Sequence, residues 1–453
     1  MKTVIIGGGI SGLYIYHRLN DPNTTLLEKK TTLGGRIKTE MLNNKVLYET
    51  GPWRIHEKHK RVRQLCYELG LEESLASESK QNALYKNEFD HTTKHNNFLS
   101  EISEFGNRII DMNISDAVET ELATGYSDIF SKASNTRNYD LSGGSFFVLN
   151  DGLHAIIDRL VVKSNTANIR SGHFVTDVQR TKKGYKIAYY TRNKPTSYML
   201  CERLILCLPP HETRHWTIAQ HLRPIINAVG TLSLNHLYAK TDQRMTIDGS
   251  ENFKIITDNP LSQVVSSNYD NNWVQVSYSA GRVADFWHGL SLTDLFKPFL
   301  NEQFKHITGY SQKLIDVKNY YWKNAVHYWQ PNYKTTAKSL MRRSVVPHML
   351  LDNLYIAGEA VSTNQGWLEG ALETASLVLD LLSASPRKNI IFPKEYVIYD
   401  GRVLDVEHWK HFHPGSVEAI NNHLYEDITR LWNSIHPEYS TKYLLALENK
   451  TES

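Results

Sequence analysis

The sequence predicts an α/β fold with three parts, and three observations carry that expectation. The run TVII at 3–6 is a β-branched strand that meets glycines and then an amphipathic helix from Ser11 to Leu19, and TTLLEKK supplies the next strand. Far downstream, NLYIAGEA reads as a buried strand entering the apolar helix GWLEGALETASLVLDLL. Past SASPRKN at 383–389, a linker by its Pro, Ser and charge, the texture changes and a short tail follows.

The elements between these landmarks follow in order. The opening strand-loop-helix-strand unit is Rossmann-like. The stretch from Pro52 to Tyr139 is polar and is expected to be helical, with little motif content. In LNDGLHAIIDRLVV, Asp151 is placed to cap a helix whose Leu153, Ile156, Ile157 and Leu160 share one face. Short alternating strands are expected at 173–207, and more at 230–280. The first domain is expected to take segments of about 1–60, 145–210 and 345–382, and the second domain about 61–144 and 211–344. The linker spans 383–392 and the tail domain 393–453.

At 453 residues with 41% hydrophobic and 22% charged side chains, the chain is able to bury two or three cores, so disorder is excluded as its default state. A formal charge of +3, spread evenly, argues against a nucleic-acid partner and for a small molecule. Cys66, Cys201 and Cys207 lie far apart, which suggests neither a disulfide framework nor a zinc site. No integral membrane segment is expected, and the chain is placed in the cytoplasm.

Gly7, Gly9 and Gly12 form G-x-G-x-x-G directly after a strand and at a helix start. That spacing allows a tight turn, close backbone approach to a pyrophosphate and close helix-strand packing. Glu28 ends the second strand 21 residues after Gly7, where an acid meets ribose hydroxyls. TTLGGRIKT then adds Gly34, Gly35 and Arg36, and YETGPW adds Glu49 and Gly51.

The second glycine pair with its arginine resembles the extended motif of FAD-binding oxidoreductases, and LYIAGEAVSTNQGWLEGALETA resembles the C-terminal motif of the flavin-dependent amine oxidase family. The resemblance runs over residues 1–382 and implies a Rossmann-like FAD-binding domain with an interleaved α+β substrate domain. It implies FAD contacts from Arg36, Glu49, Val175, Gly358 and Glu359, with Trp367 and Leu368 against the flavin ring. Amine oxidation in this family moves a hydride equivalent from the carbon beside nitrogen to flavin N5, inside an apolar cage. Trp367 is the leading cage residue. YYWKNAVHYWQPN resembles the family's W-x-x-G-A wall and offers Trp322, His327, Tyr328 and Trp329; it holds no cysteine for a flavin tether. Many members carry a lysine on the strand after LPP; here Asn235 and His236 stand near that point, Lys240 comes later, and His236 is the candidate substitute.

YVIYDGRVLDVEHWKHFHPGS resembles the entry segment of cytochrome b5, with Val403 and Asp405 ahead of His413. YEDITRLWNSIH resembles the following D-x-T-x-x-F helix, with Asp427, Thr429 and Trp432, and ends in His436. The resemblance implies a small α+β cytochrome b5-like C-terminal domain holding haem b between two neutral imidazoles, with His413 and His436 as iron ligands. Ser416 departs from the family, which usually has a second glycine there, and the interval of 23 between the histidines is about one residue short.

The leading expectation is an FAD-dependent oxidoreductase of a small amine that passes electrons to the haem, to a redox protein or to oxygen. A flavin-dependent desaturase or dehydrogenase of a carbon-carbon bond is the enzymatic alternative, and an electron-transfer or binding module the non-enzymatic one.

Overall fold

Thr3–Ile6 is buried along its whole length and forms the middle strand of a five-stranded parallel sheet. The order is Leu354–Ile356, Arg203–Leu206, Thr3–Ile6, Thr24–Leu27 and Ile169–Arg170. The computed structural model describes residues 1–78, 82–86, 145–257, 259–269, 271–311, 313–330, 336–346, 351–383, 395–400, 402–424 and 428–447. A parallel sheet needs cover on its faces. Helix Ile10–Leu19 supplies part of it, packed against both His154–Val162 and Leu368–Ser383. Gly12 lets the helix lie close to the end of the strand before it, because a Cβ there would sit 2.0 Å from the carbonyl oxygen of Gly7.

A three-stranded antiparallel sheet of Phe174–Thr181, Gly184–Tyr190 and Ser197–Cys201 precedes the Arg203–Leu206 strand. The second region is built on a six-stranded sheet ordered Ile315–Trp329, Val229–Lys240, Trp273–Ala280, Gln263–Ser266, Phe253–Thr257 and Asn82–Lys86. One of its faces is covered by helices Gly281–Leu290 and Phe296–Thr308, whose Trp287, Leu300 and Phe304 join a core with Val264 and Val276.

In the tail, Tyr396–Tyr399 and Arg402–Asp405 form an antiparallel hairpin, followed by Val417–Asn421, Thr429–Ile435 and Thr441–Leu445. Val397, Leu404, Val406, Trp432 and Leu444 make its own core. Arg343 pairs with Asp400 at 3.3 Å, and Tyr396 packs into the core of the nucleotide-binding region, tying the tail to it.

Two expectations change. Asp151 does not cap the following helix, which runs from His154 to Val162. Its first N–H groups are met from a distance: Leu153 donates to Glu49 Oε1 at 2.7 Å and His154 to Thr39 Oγ1 at 3.0 Å. The described part of 52–139 is not mainly helical, since Lys60–Glu68 is accompanied by strands at Ile55–His56, Leu75–Ser77 and Asn82–Lys86 that find partners far along the chain. Linker residues 384–392 and Asp427 lie outside the described residues. Among the described residues no helix is long and apolar enough to cross a membrane.

Candidate functional site

The strands of the five-stranded sheet end together, and their last residues open into a cavity of about 1000 Å³. Ile6, Leu27 and Cys207 line it on one side and the six-stranded sheet on the other. Gly7 stands at φ +112 beside Cys207, where a side chain would collide with backbone. Gly9 is different. A Cβ there would meet nothing nearer than the Gly35 Cα at 4.0 Å, and one at Gly358 would meet nothing within 4 Å, so these glycines keep room on the cavity side. Gly9 is also the N-cap of Ile10–Leu19, without a side-chain cap and with no acid in the first turn. The positive end of that helix therefore faces the cavity uncompensated, as an anion site requires.

Glu28 lies at the rim with Gly34, Gly35 and Val175. Its carboxylate accepts from the Gly8 N–H at 2.7 Å and the Lys30 N–H at 2.8 Å, which fixes its direction. Arg36 donates to the Ala325 carbonyl and to Glu359 Oε2, the latter at 2.8 Å. Glu359 also accepts from His327 Nδ1 at 2.8 Å and from the Gly366 N–H. Burial opposes charge on Glu359, but His327 and Arg36 outweigh it and hold the carboxyl well below the usual carboxylate range. Burial pushes His327 down against the pull of Glu359, so the lasting cation is Arg36 and His327 serves as a neutral donor.

The register of the six-stranded sheet decides which side chains enter the cavity. Leu234 pairs with Trp322, His236 with Tyr278 across the next strand, and Lys254 with Val265, itself opposite Gln275. Cross-strand partners share a face. Trp322, His236, Tyr278, Gln263 and Lys254 all line the cavity accordingly, while Asn235, one residue away, does not. His236 Nδ1 lies 3.0 Å from the Gln275 amide, and burial pushes the ring's pKa down to about 3, so it is neutral. At the other wall Trp367 stacks on Phe146 at 6.1 Å and tilts against His59 at 5.0 Å. Arg54 lies over Phe146 at 4.5 Å and over Trp53 at 5.2 Å. The indole Nε1 atoms of Trp53 and Trp367 are buried without a hydrogen-bond partner.

Most of the expected site residues therefore come together: Gly7, Gly9, Glu28, Gly34, Gly35, Arg36, Val175, Gly358, Glu359, Trp367 and Leu368 on the nucleotide side, and Trp322 and His236 opposite. Three stand elsewhere. Gly12 lies one turn back, against Gly7. Glu49 does not line the cavity; it accepts from Thr39, Leu153 and Tyr269, and burial pushes it up to about 7 against those bonds. Its role in the fold is to cap a helix. Tyr328 lies across Gly230 on the neighbouring strand, also outside the cavity lining. The cavity cations beyond Arg36 include Arg54 and Lys254, which the sequence motifs do not name. Arg54 follows directly after YETGPW and was accessible to motif reading, whereas Lys254 sits in an ordinary strand and carries no sequence signal.

In the tail, the rings of His413 and His436 stand 5.9 Å apart at 52°. Two imidazoles on opposite sides of one metal, with bonds of about 2 Å, have centroids roughly 6 Å apart. His413 Nδ1 faces the Ser416 carbonyl at 3.3 Å, leaving Nε2 for a ligand. His436 stacks on Trp432 at 3.7 Å, and its Nδ1 is buried without a partner. Phe412 and Ile435, next in sequence to the two histidines, are 81% and 64% exposed, an apolar rim suited to a porphyrin edge.

Comparison with known proteins identifies both regions of the chain. Residues 10–131 and 89–378 match the family described as flavin containing amine oxidoreductase, and 389–448 match the cytochrome b5-like heme/steroid binding domain. An L-amino acid oxidase of Bothrops pictus is 22% identical over 446 residues, covering 82% of this chain and 88% of that one. An L-amino-acid oxidase of Bothrops pauloensis is 27% identical over 206 residues, 42% of this chain and 39% of its own. Among solved structures, a putative protoporphyrinogen oxidase from Exiguobacterium sp. 255-15 superposes with TM-score 0.64 at 14% identity, covering 84% of this chain and 98% of that one. A redesigned putrescine oxidase double mutant gives 0.62 at 14% identity, with 84% and 99% covered. The open glycine cradle, the uncompensated helix terminus and the orphaned indole N–H groups fit FAD, and the paired imidazoles with their apolar rim fit haem. With its glycine loop, the Arg36–Glu359 pair and the GWLEG helix all meeting at one cavity, the chain belongs to the flavin-containing amine oxidoreductases, as an FAD-dependent enzyme joined to a cytochrome b5-like haem domain.

Proposed function

We propose that the chain oxidises the Cα–N bond of a small α-amino acid. The observation that carries this reading is Arg54, a guanidinium on the cavity wall among Trp53 and Phe146 and close to Trp367, where an amine substrate bearing a carboxylate would be anchored. Loss of two electrons and two protons from the Cα–H and N–H leaves an imine, which water hydrolyses to a keto acid and ammonia. FAD, when bound, would supply the two-electron acceptor for this oxidation, and haem in the tail or oxygen would supply an onward acceptor.

The chain's own residues do the rest. Arg54 binds the carboxylate and so fixes which face of Cα is presented. Trp367 and Trp322 orient the amine between aromatic walls and exclude water. Neutral His236 keeps positive charge away from the amine. Gly7, Gly9 and Glu28 would hold the diphosphate and ribose, and Arg36 with Glu359 the neighbouring edge. In the tail, His413 and His436 would hold the iron. The division into a flavoprotein region to residue 382 and a haem domain from 393 is part of this proposal. The three unpaired cysteines support a cytoplasmic setting.

Anaerobic titration of the holoenzyme tests the reading. α-Amino acids should bleach the flavin, and the amines obtained by removing their carboxylate should do so at least tenfold less efficiently. Arg54→Gln should lower the efficiency for amino acids by ~10- to 100-fold, the worth of one charge-assisted bond. Equal bleaching by amines and amino acids would overturn it.

A further inference from the structure

His236 has one ring nitrogen engaged inside the sheet and the other left to the cavity. Gln275 stands opposite Tyr238, and His236 opposite Tyr278, so Gln275 and His236 share one sheet face. The Gln275 amide nitrogen lies 3.0 Å from His236 Nδ1. An amide nitrogen donates, so Nδ1 accepts and the ring's own proton belongs on Nε2. The residue is 2% exposed, and burial pushes its pKa down to about 3, so no second proton joins the first. Edge contacts with Trp53 at 5.7 Å and Tyr278 at 4.9 Å fix the plane of the ring. The wall therefore shows the cavity a neutral N–H of set direction.

We propose that Gln275 is a positioning residue that locks His236 as a hydrogen-bond donor to the acceptor edge of the bound flavin, so that the pair favours the reduced cofactor. Donor and acceptor chemistry selects the recipient. A substrate carboxylate is matched by Arg54, an ammonium accepts no hydrogen bond, and a neutral amine needs its lone pair free as hydride leaves Cα. The oxidised flavin ring instead presents carbonyl oxygens and bare nitrogens, and these gain negative charge on reduction. A hydrogen bond to them becomes charge-assisted in the reduced state and so strengthens. The opposite tautomer would aim a lone pair at the same acceptors, so the Gln275 amide decides the sign of the effect. The inference rests on FAD in the cavity and holds whichever amine is oxidised.

Reduction of the substrate-free holoenzyme against a reference dye reads the flavin potential, and proton–nitrogen correlation spectra of histidine-labelled protein read the tautomer. In the wild type the His236 signal, identified by its change in Gln275→Met, should show Nε2 protonated and Nδ1 bare. His236→Leu should lower the two-electron potential by roughly 30–60 mV, a ten- to hundredfold loss of preference for the reduced form. Gln275→Met should share the proton between the two nitrogens and lower the potential by a smaller step. Added to His236→Leu, it should change nothing more. His236→Gln, which keeps an N–H donor, should retain most of the wild-type value. A protonated Nδ1 in the wild type, an unchanged potential in His236→Leu, or a fall caused by Gln275→Met when His236 is already replaced overturns the proposal. If His236→Leu fails to retain FAD, wild type and Gln275→Met still decide: tautomer and potential must change together, and a change in one alone overturns it.

Discussion

Gly9 and Gly12 belong to one motif, yet replacing each by alanine should fail for opposite reasons. At Gly12 the new methyl would sit 2.0 Å from Gly7 O and 3.3 Å from Cys207 Cβ, so backbone must move. Overpacking of this kind costs ~1–3 kcal/mol, partly offset by the better helix propensity of alanine, ~1 kcal/mol. The net ~0–2 kcal/mol lowers the melting temperature of the apoprotein by at most roughly 8 °C. At Gly9 the backbone is at φ −75 and ψ −178, ordinary for any residue, and the nearest protein atom is 4.0 Å away. Gly9→Ala should therefore cost the apoprotein no more than ~1 kcal/mol of N-cap preference. The same methyl occupies the room left for the diphosphate, and losing one charge-assisted hydrogen bond there, ~1.5–3 kcal/mol, weakens FAD by ~10- to 100-fold. The assay pairs thermal unfolding of flavin-stripped protein with FAD titration by fluorescence quenching. Wild-type affinity in Gly9→Ala, or equal loss of apoprotein stability in both variants, would refute the reasoning.

Other perturbations separate the remaining assignments. Glu49 has its pKa raised from 4.5 to about 7, so between those values only the folded state keeps the proton and stability falls as pH rises. Glu49→Gln should flatten that fall, worth about 3 kcal/mol, in denaturant melts across pH 4 to 8 without changing FAD content. His413→Ala or His436→Ala should each abolish the split visible bands of low-spin reduced haem and open the iron to carbon monoxide; unchanged spectra in either would remove that ligand. Ser416 stands at φ +90 and ψ 161, a region open almost only to glycine. Ser416→Gly should relieve ~1–3 kcal/mol against a few tenths for the lost cap to Ala419, and slow haem loss to apomyoglobin. Trp367→Ala should slow flavin reduction in stopped flow far more than it lowers FAD content, and equal rates would take Trp367 out of the substrate wall.

The local chemistry of this chain is written in its local sequence. Gly7, Gly9, Glu28 and Arg36 line one cavity because the turn, the helix after it and the next glycine pair are contained within a few dozen consecutive residues. His413 and Ser416 were readable for the same reason: a His-Pro-Gly turn and its missing second glycine are matters of backbone conformation at neighbouring positions. Pairing between distant strands leaves no such trace. Glu49 has motif neighbours that line the cavity, while its own carboxylate turns back to cap a helix more than a hundred residues later. Tyr328 and Trp322 belong to one strand and one aromatic run, but only the register against Val229–Lys240 shows that Trp322 enters the cavity and Tyr328 lies across Gly230. Lys254 is the extreme case. Its strand looks like any other, and it reaches the cavity because the sheet order sets Phe253–Thr257 beside Gln263–Ser266 with that face inward. A strand's alternation says that one side is buried; which cavity that side meets depends on contacts made hundreds of residues apart, and those are decided by the packing of the whole sheet.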